Sequence, residues 1–178
     1  NLPKKNFNGS LIKFALCFPD LYEVGMSNNG IRIIYGLLNR EPDVVCERFF
    51  SVAQDAEKVL RSSSRAIFSL ESKKVLNEFD IVGFSLGYEL QFTNVLNILD
   101  LGGVPLFSRE RKNSDPLVIA GGPATINPEP MHEFVDLFII GEAEEALLEV
   151  ISAYRILKVQ LKQGKISRED LLSELSRI

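Results

Sequence analysis

The chain alternates between short, continuous apolar runs and longer segments in which apolar residues recur at helical spacing. Continuous runs are typical of strands covered on both faces, and the helical spacing is typical of helices that pack on a sheet. Short connections between such elements favour a parallel sheet with right-handed crossovers. The predicted strands are 11–18, 44–50, 80–86, 104–108, 116–120 and 136–140, and segment 65–70 fits either a strand or a loop.

Helices are predicted between these strands and after the last one. Ser27 or Asn28 is placed to cap the first helix, and Ser167, followed three residues later by Asp170, is placed to cap the last. The two helices after Gly141 form an extension that either docks on the sheet or leads into a following domain. The predicted helices are 28–39, 53–61, 92–101, 129–134, 142–163 and 167–177.

The pattern as a whole predicts an α/β protein with a flavodoxin-like or Rossmann-like three-layer arrangement, a parallel sheet and a C-terminal helical extension. A chain of 178 residues, 46% of them hydrophobic, is long enough for one well-cored domain and an appendage. We therefore expect a domain over residues 1–150 and a helical extension over 151–178.

Composition and charge argue against some classes of function. The net charge is −4 and the basic residues are scattered, so no basic stripe predicts direct nucleic-acid binding. Cys17 and Cys46 lie in apolar runs, which predicts buried, reduced thiols in a cytoplasmic protein. No membrane span is expected because no apolar run reaches about 18 residues, and the start lacks a signal-peptide core. The chain also lacks an initiator methionine, so we expect it to be a segment of a longer protein.

Candidate chemistry follows the predicted strands. Asp20, Tyr22 and Gly25 follow the first strand, Ser85 ends a middle strand, and Gly121-Gly122 follows the run Val118-Ile119-Ala120. The carboxyl ends of parallel strands meet at one edge, where open α/β sheets place ligand sites. Taken alone, the same residues also fit plain turns and caps, and Glu142 and Glu144 fit a helix start that favours carboxylates.

This ordered set resembles the cobalamin-binding domain found at the amino end of many radical S-adenosylmethionine (radical SAM) proteins. That domain carries an Asp-x-His-x-x-Gly motif, a serine at the end of a middle strand, and a later Gly-Gly pair. The resemblance covers about residues 11 to 150. Its more specific part is Ile119-Ala120-Gly121-Gly122-Pro123 together with the turn Gly141-Glu142-Ala143-Glu144.

The resemblance implies a binding crevice for the nucleotide tail of cobalamin. Gly121 and Gly122 match the positions where backbone and tail approach closely, Ser85 matches the serine that hydrogen bonds the tail, and Asp20 and Gly25 match the first motif. Tyr22 stands where the histidine would coordinate cobalt, and a phenol is a poorer ligand than neutral imidazole. Either cobalamin binds without a protein axial ligand, or the site has been lost.

No catalytic or metal-ligating residue is assigned. A radical SAM centre holds its 4Fe–4S cluster through three cysteines spaced Cys-x-x-x-Cys-x-x-Cys, and two distant cysteines do not supply them. The resemblance implies that the cluster and S-adenosylmethionine belong to a barrel after residue 178, which would be the partner of this segment. His132, the only histidine, is expected to be a surface or packing residue.

Three functions remain open. The first is a cobalamin-binding module of a radical SAM enzyme, not catalytic by itself. The second is a degenerate domain that presents substrate or binds a protein partner, and Tyr22 favours it. The third is an independent enzyme that uses a nucleotide or a flavin. If the crevice is assigned correctly, Gly122→Val is expected to block the tail while leaving the core intact.

Overall fold

The computed structural model describes residues 5–178, in which five strands and six α-helices form the fold. All neighbouring strands are parallel, in the order second, first, third, fourth, fifth, which is the flavodoxin-like order. The predicted α/β fold with a parallel sheet is confirmed. The strands are β1 (Ile12–Leu21), β2 (Val44–Ser51), β3 (Ile81–Ser85), β4 (Leu117–Gly121) and β5 (Leu137–Ile139); the helices are α1 (Tyr22–Ser27), α2 (Asn29–Arg40), α3 (Gln54–Ser62), α4 (Phe92–Leu101), α5 (Ala143–Lys162) and α6 (Arg168–Leu175).

Side-chain alternation along the strands builds one core on each face of the sheet. In β1, Ile12, Phe14 and Leu16 face α2, α5 and α6, whereas Ala15 and Cys17 face the layer that contains α4. Both cysteines are buried and unpaired, and burial raises the pKa of each thiol well above its ordinary value. The helices thus cover both faces, and the predicted buried thiols are confirmed.

The connections that follow β1 and β3, two neighbouring strands, lead toward opposite edges of the sheet. After β1 the chain passes through α2 to reach β2 at one edge, and after β3 it passes through α4 on the other face to reach β4. Connections that diverge in this way leave a crevice at the carboxyl ends of the two strands, where ligands of open α/β sheets bind. The fold therefore places the candidate residues at a topological switch point.

The helix ends follow the predicted caps. The Asn28 side chain accepts a hydrogen bond from the Ile31 N–H at 3.1 Å, and Ser167 with Asp170 forms a capping box at α6. Both helices of the predicted extension pack on the sheet in the core that contains Phe14. Helix α5 is continuous through residue 150, so the predicted division at that residue falls inside a helix.

Several local predictions need correction. Segment 104–108 is not a strand: Pro105 cannot donate to a ladder, and the Arg111 side chain binds the carbonyls of Pro105 and Leu106 at 3.0 and 2.8 Å. Strand β1 continues past Pro19 to Leu21 because an irregularity in the pairing with β2 accommodates the proline. Segment 129–134 contains only a short 3₁₀ turn at 129–131, and segment 65–70, which fitted either a strand or a loop, is a loop with one isolated bridge at Phe68.

Gly36 offers a direct test of the α2 assignment. It lies inside the helix, and a Cβ atom built there meets no atom within 4 Å. Gly36→Ala is therefore expected to raise the free energy of unfolding by about 1 kcal/mol, because alanine loses less backbone entropy in a helix. Urea denaturation followed by circular dichroism measures the change. An unchanged or lower midpoint would contradict the assignment.

Candidate functional site

A cavity of 390 Å³ opens at the carboxyl ends of the strands, between α2 and α5 on one face of the sheet. Its floor is apolar, and Ile34 of α2 and Leu147 of α5 form its sides. Residues on the same face of four neighbouring strands meet here because parallel strands end at one edge. The floor consists of Phe14, Leu16, Phe18, Gly83, Ser85, Ile119, Gly121 and Ile139.

The floor has a glycine at residue 83, where the Phe14 ring takes the space of a side chain. The Phe14 ring lies over Gly83, so that any Cβ atom at residue 83 would collide with it. Glycines also line the mouth of the cavity at Gly30, Gly87 and Gly141. The result is a slot with a flat aromatic and aliphatic floor and accessible backbone at its entrance.

Gly121 and Gly122 have different physical reasons for being glycine. Gly122 has φ +110° and ψ 175°, a region that is essentially restricted to glycine, and a Cβ atom there would lie 2.5 Å from the Leu86 carbonyl oxygen. The fold therefore requires Gly122. Gly121 has no positive φ, and a Cβ atom there would meet only ordinary contacts at 3.6 Å and beyond. Its missing side chain keeps the cavity open.

Ser85 lies beside Gly121 on the floor. It is the last residue of β3, it pairs with Gly121 in the parallel register, and it lines the cavity. A hydroxyl at this place both donates and accepts hydrogen bonds. Of the six residues predicted for the site, the structure brings these two and Gly122 together in one cavity.

The other three predicted residues lie outside the cavity lining. The Tyr22 ring packs edge-to-face on Phe50 at 5.5 Å and lines a second groove. Gly25 is buried under Phe50 and Phe18, where the packing of α1 leaves no room for a Cβ atom. Both residues follow β1 in helix α1, which bends toward β2 and away from the slot.

Asp20 accepts a hydrogen bond from the Tyr88 hydroxyl at 2.9 Å, which links the segments that follow β1 and β3 across the switch point. This hydrogen bond, together with the negative charge of Asp20, raises the pKa of the Tyr88 phenol above its ordinary value. Tyr88 therefore stays protonated and neutral at physiological pH. Asp20, which matches the first motif of the resemblance, is thus engaged by a phenol.

Sequence reasoning missed the residue that shapes the entrance beside Ser85. Gln91 is fully buried, and its side-chain oxygen accepts a hydrogen bond from the Gly87 N–H at 2.8 Å. Its amide nitrogen has no partner among residues 5–178. The signal in the sequence is a glycine four residues before a glutamine at a helix start, which is too common to single out in advance.

The charges around the cavity are acidic. Glu142 and Glu144 at the start of α5 are the charged residues of its lining, with no lysine or arginine among the residues that form it. Across residues 5–178, no group of three or more His, Cys, Asp or Glu side chains is placed to hold a metal ion. The arrangement suits a largely apolar ligand with few polar groups and little negative charge.

The structure also bears on the predictions made for His132 and for membrane spans. His132 is exposed and its ring contacts the carbonyl of Glu129, so the expectation of a surface residue is confirmed. None of the helices between residues 5 and 178 combines the length and apolar character needed to cross a membrane.

Comparison with known families covers most of the cavity lining, but not the residues that β1 contributes. The family model for the N-terminal region of radical SAM proteins matches residues 30–178, which is most of the chain. The chain belongs to this N-terminal family of radical SAM proteins. The matched region of the radical SAM N-terminal domain contains Ser85, Gly121 and Gly122, whereas Asp20, Tyr22 and Gly25 precede it.

A curated relative extends the comparison. An uncharacterized protein of Methanocaldococcus jannaschii is 25% identical to this radical SAM N-terminal domain over 142 residues, which cover 78% of the chain and 26% of the relative. The chain therefore spans about a quarter of the length of that protein.

Proposed function

We propose that this radical SAM N-terminal domain binds cobalamin, with the nucleotide tail of the cofactor in the cavity between α2 and α5. The observation that carries the proposal is Gly121, a glycine that the backbone does not require and that keeps the cavity open beside Ser85. Glycine at such a position favours a ligand that approaches the strand end closely.

The lining fits the tail. A floor of aromatic and aliphatic side chains suits a flat, neutral base, and 390 Å³ is within the range of small-molecule sites. Ser85 supplies a hydrogen-bonding group at the strand end. Glu142 and Glu144 disfavour a ligand with a multiply charged phosphate, so a free nucleotide or a flavin mononucleotide fits this lining less well.

The proposal includes no cobalt ligand from this domain. Tyr22, which stands at the position of the histidine, packs on Phe50 outside the cavity, and Asp20 is engaged by Tyr88. When bound, cobalamin would supply methyl transfer or would tune a radical step. The residues described here would bind the tail and orient the cofactor.

Exposed apolar residues that follow three neighbouring strands, which we call the apolar rim, support a partner at the carboxyl edge of the sheet. Leu90, Ile126 and Ile140 follow β3, β4 and β5 and are 83%, 77% and 63% exposed. Side chains of this kind clustered at one edge are typical of an interaction surface. We propose that the catalytic radical SAM region, with its S-adenosylmethionine and 4Fe–4S cluster, docks against this rim and faces the cofactor.

Titration of the purified chain with hydroxocobalamin tests cofactor binding. We expect saturable binding with a dissociation constant of about 1 µM or below, equivalent to about −8 kcal/mol, by calorimetry and absorbance. Gly121→Val should weaken binding at least about tenfold, since the new side chain points into the slot. Gly36→Val, at an open position of α2 outside the lining, should bind like the wild type.

Three outcomes would contradict the proposal. Absence of binding by the folded wild-type chain would favour the interaction scaffold. A flavin that copurifies with the chain would favour the independent enzyme. Equal affinity of Gly121→Val and the wild type would show that cobalamin binds elsewhere.

A further inference from the structure

The outer edge of β2 is closed by the chain itself along most of its length. Alternate residues of this edge strand direct their N–H and C=O groups away from β1. Cys46 bonds through both groups to the Asn39 side chain, at 3.1 and 3.0 Å. At Arg48, the N–H donates to Glu71 and the C=O accepts from the Leu70 N–H, both at 2.8 Å.

The edge opens at Phe50, the next residue that faces outward. Among residues 5–178, no backbone group outside β1 pairs with Phe50. A groove of 610 Å³, which we call the β2 groove, lies here and is lined by β2, α3 and the loop that follows α3. Its lining consists of Tyr22, Arg48, Phe50, Ser51, Val52, Ala56, Val59, Leu60, Ile67, Phe68, Leu70 and Lys73.

The β2 groove has unpartnered apolar and polar groups. Val59 and Phe68 are 64% and 50% exposed although both line the groove. The Ser51 hydroxyl is buried and has no hydrogen-bond partner among residues 5–178. Open strand edges next to apolar pockets are the features by which proteins bind extended peptides.

We propose that the β2 groove binds an extended, apolar peptide segment that carries a carboxylate and adds to β2 as an extra strand at Phe50. The Leu70 N–H already bonds the Arg48 carbonyl on this edge, and a guest strand would add backbone hydrogen bonds at Phe50, closer to the carboxyl end of β2. The lining has two charged residues, both cationic: Arg48 is paired with Glu71 at 2.8 Å, so the exposed Lys73 is the cation that is free to meet a carboxylate of the peptide. This site is separate from the cobalamin cavity and does not depend on it.

Selection of random decapeptides displayed on phage, with the immobilised chain as target, tests the proposal. We expect enrichment of sequences that alternate apolar residues and contain Asp or Glu. A synthetic peptide of the enriched sequence should bind the chain in fluorescence polarisation. Val59→Glu should weaken the binding of this peptide at least about tenfold, because the new carboxylate in the β2 groove repels the acidic residue of the peptide and the apolar contact of Val59 is lost.

Two matched controls distinguish strand addition from general adhesion. Ile156→Glu alters an α5 residue of the same 64% exposure outside the groove and should leave the affinity within about twofold. A copy of the peptide with N-methylated backbone nitrogens should lose binding, since it lacks the strand hydrogen bonds. Absence of enrichment, equal binding by the N-methylated copy or by Val59→Glu, or a dimer of the chain that covers the groove would overturn the proposal.

Discussion

Gly122→Val is expected to lower the free energy of unfolding by about 3 to 5 kcal/mol. The backbone at Gly122, with φ +110° and ψ 175°, is closed to a β-branched residue, and its Cβ atom would lie 2.5 Å from the Leu86 carbonyl oxygen. That carbonyl accepts a hydrogen bond from the Ala124 N–H at 3.2 Å, so relief of the clash would break the turn. Urea denaturation at constant temperature measures the loss.

Gly121→Val is the matched control, one residue earlier. Valine fits the β conformation of Gly121 and extends into the cavity, so the stability should change by less than about 1 kcal/mol. Similar losses of unfolding free energy in the two variants would contradict the conclusion that the backbone requires glycine at residue 122, whereas glycine at residue 121 leaves room for a ligand. This contrast also corrects the sequence-based expectation that Gly122→Val would leave the core intact.

Asp136→Asn is expected to lower the free energy of unfolding by about 3 to 5 kcal/mol, since it leaves buried cations without their counter-charge. The Asp136 side chain is fully buried, accepts a hydrogen bond from the Val118 N–H at 2.7 Å, and pairs with Arg111 at 2.9 Å and Arg168 at 2.7 Å. Arg168 belongs to α6, so the variant should also loosen this helix. Hydrogen exchange at α6, together with urea denaturation, measures both effects.

Glu133→Gln provides the control for Asp136→Asn. Glu133 pairs with Arg109 at 3.2 Å on the surface, where such a pair contributes about 0 to 1 kcal/mol. Asp136 lies before β5, at the end of the sheet opposite the cavity, so cobalamin affinity at low temperature should not change in either variant. A stability loss below about 1 kcal/mol for Asp136→Asn would show that the two arginines do not need this charge.

The five strands and helices α2 to α6 were predictable, because buried parallel strands are continuous apolar runs and helices carry clear caps, as at Asn28 and Ser167. The prediction of a strand at 104–108 was wrong because the apolar run around Pro105 resembles a strand. Its carbonyls are bound instead by Arg111, a partner that comes later in the sequence. Contacts of this kind depend on tertiary structure and leave no local signal.

The candidate site was predictable only in part. Ser85 and Gly121 lie at strand ends, and strand ends meet at one edge of a parallel sheet, so their proximity follows from the fold. Tyr22 and Gly25 also follow a strand end in the sequence, but helix α1 places both of them against Phe50. The direction of a short helix after a strand is set by packing, which the residue pattern alone does not contain.

A crystal structure of the chain grown with hydroxocobalamin would show directly where the cofactor binds. We expect electron density for the nucleotide base in the cavity between α2 and α5, beside Gly121 and within hydrogen-bonding reach of Ser85, and no cobalt ligand from Tyr22. Density for the cofactor at any other surface, or Tyr22 on the cobalt, would contradict this expectation.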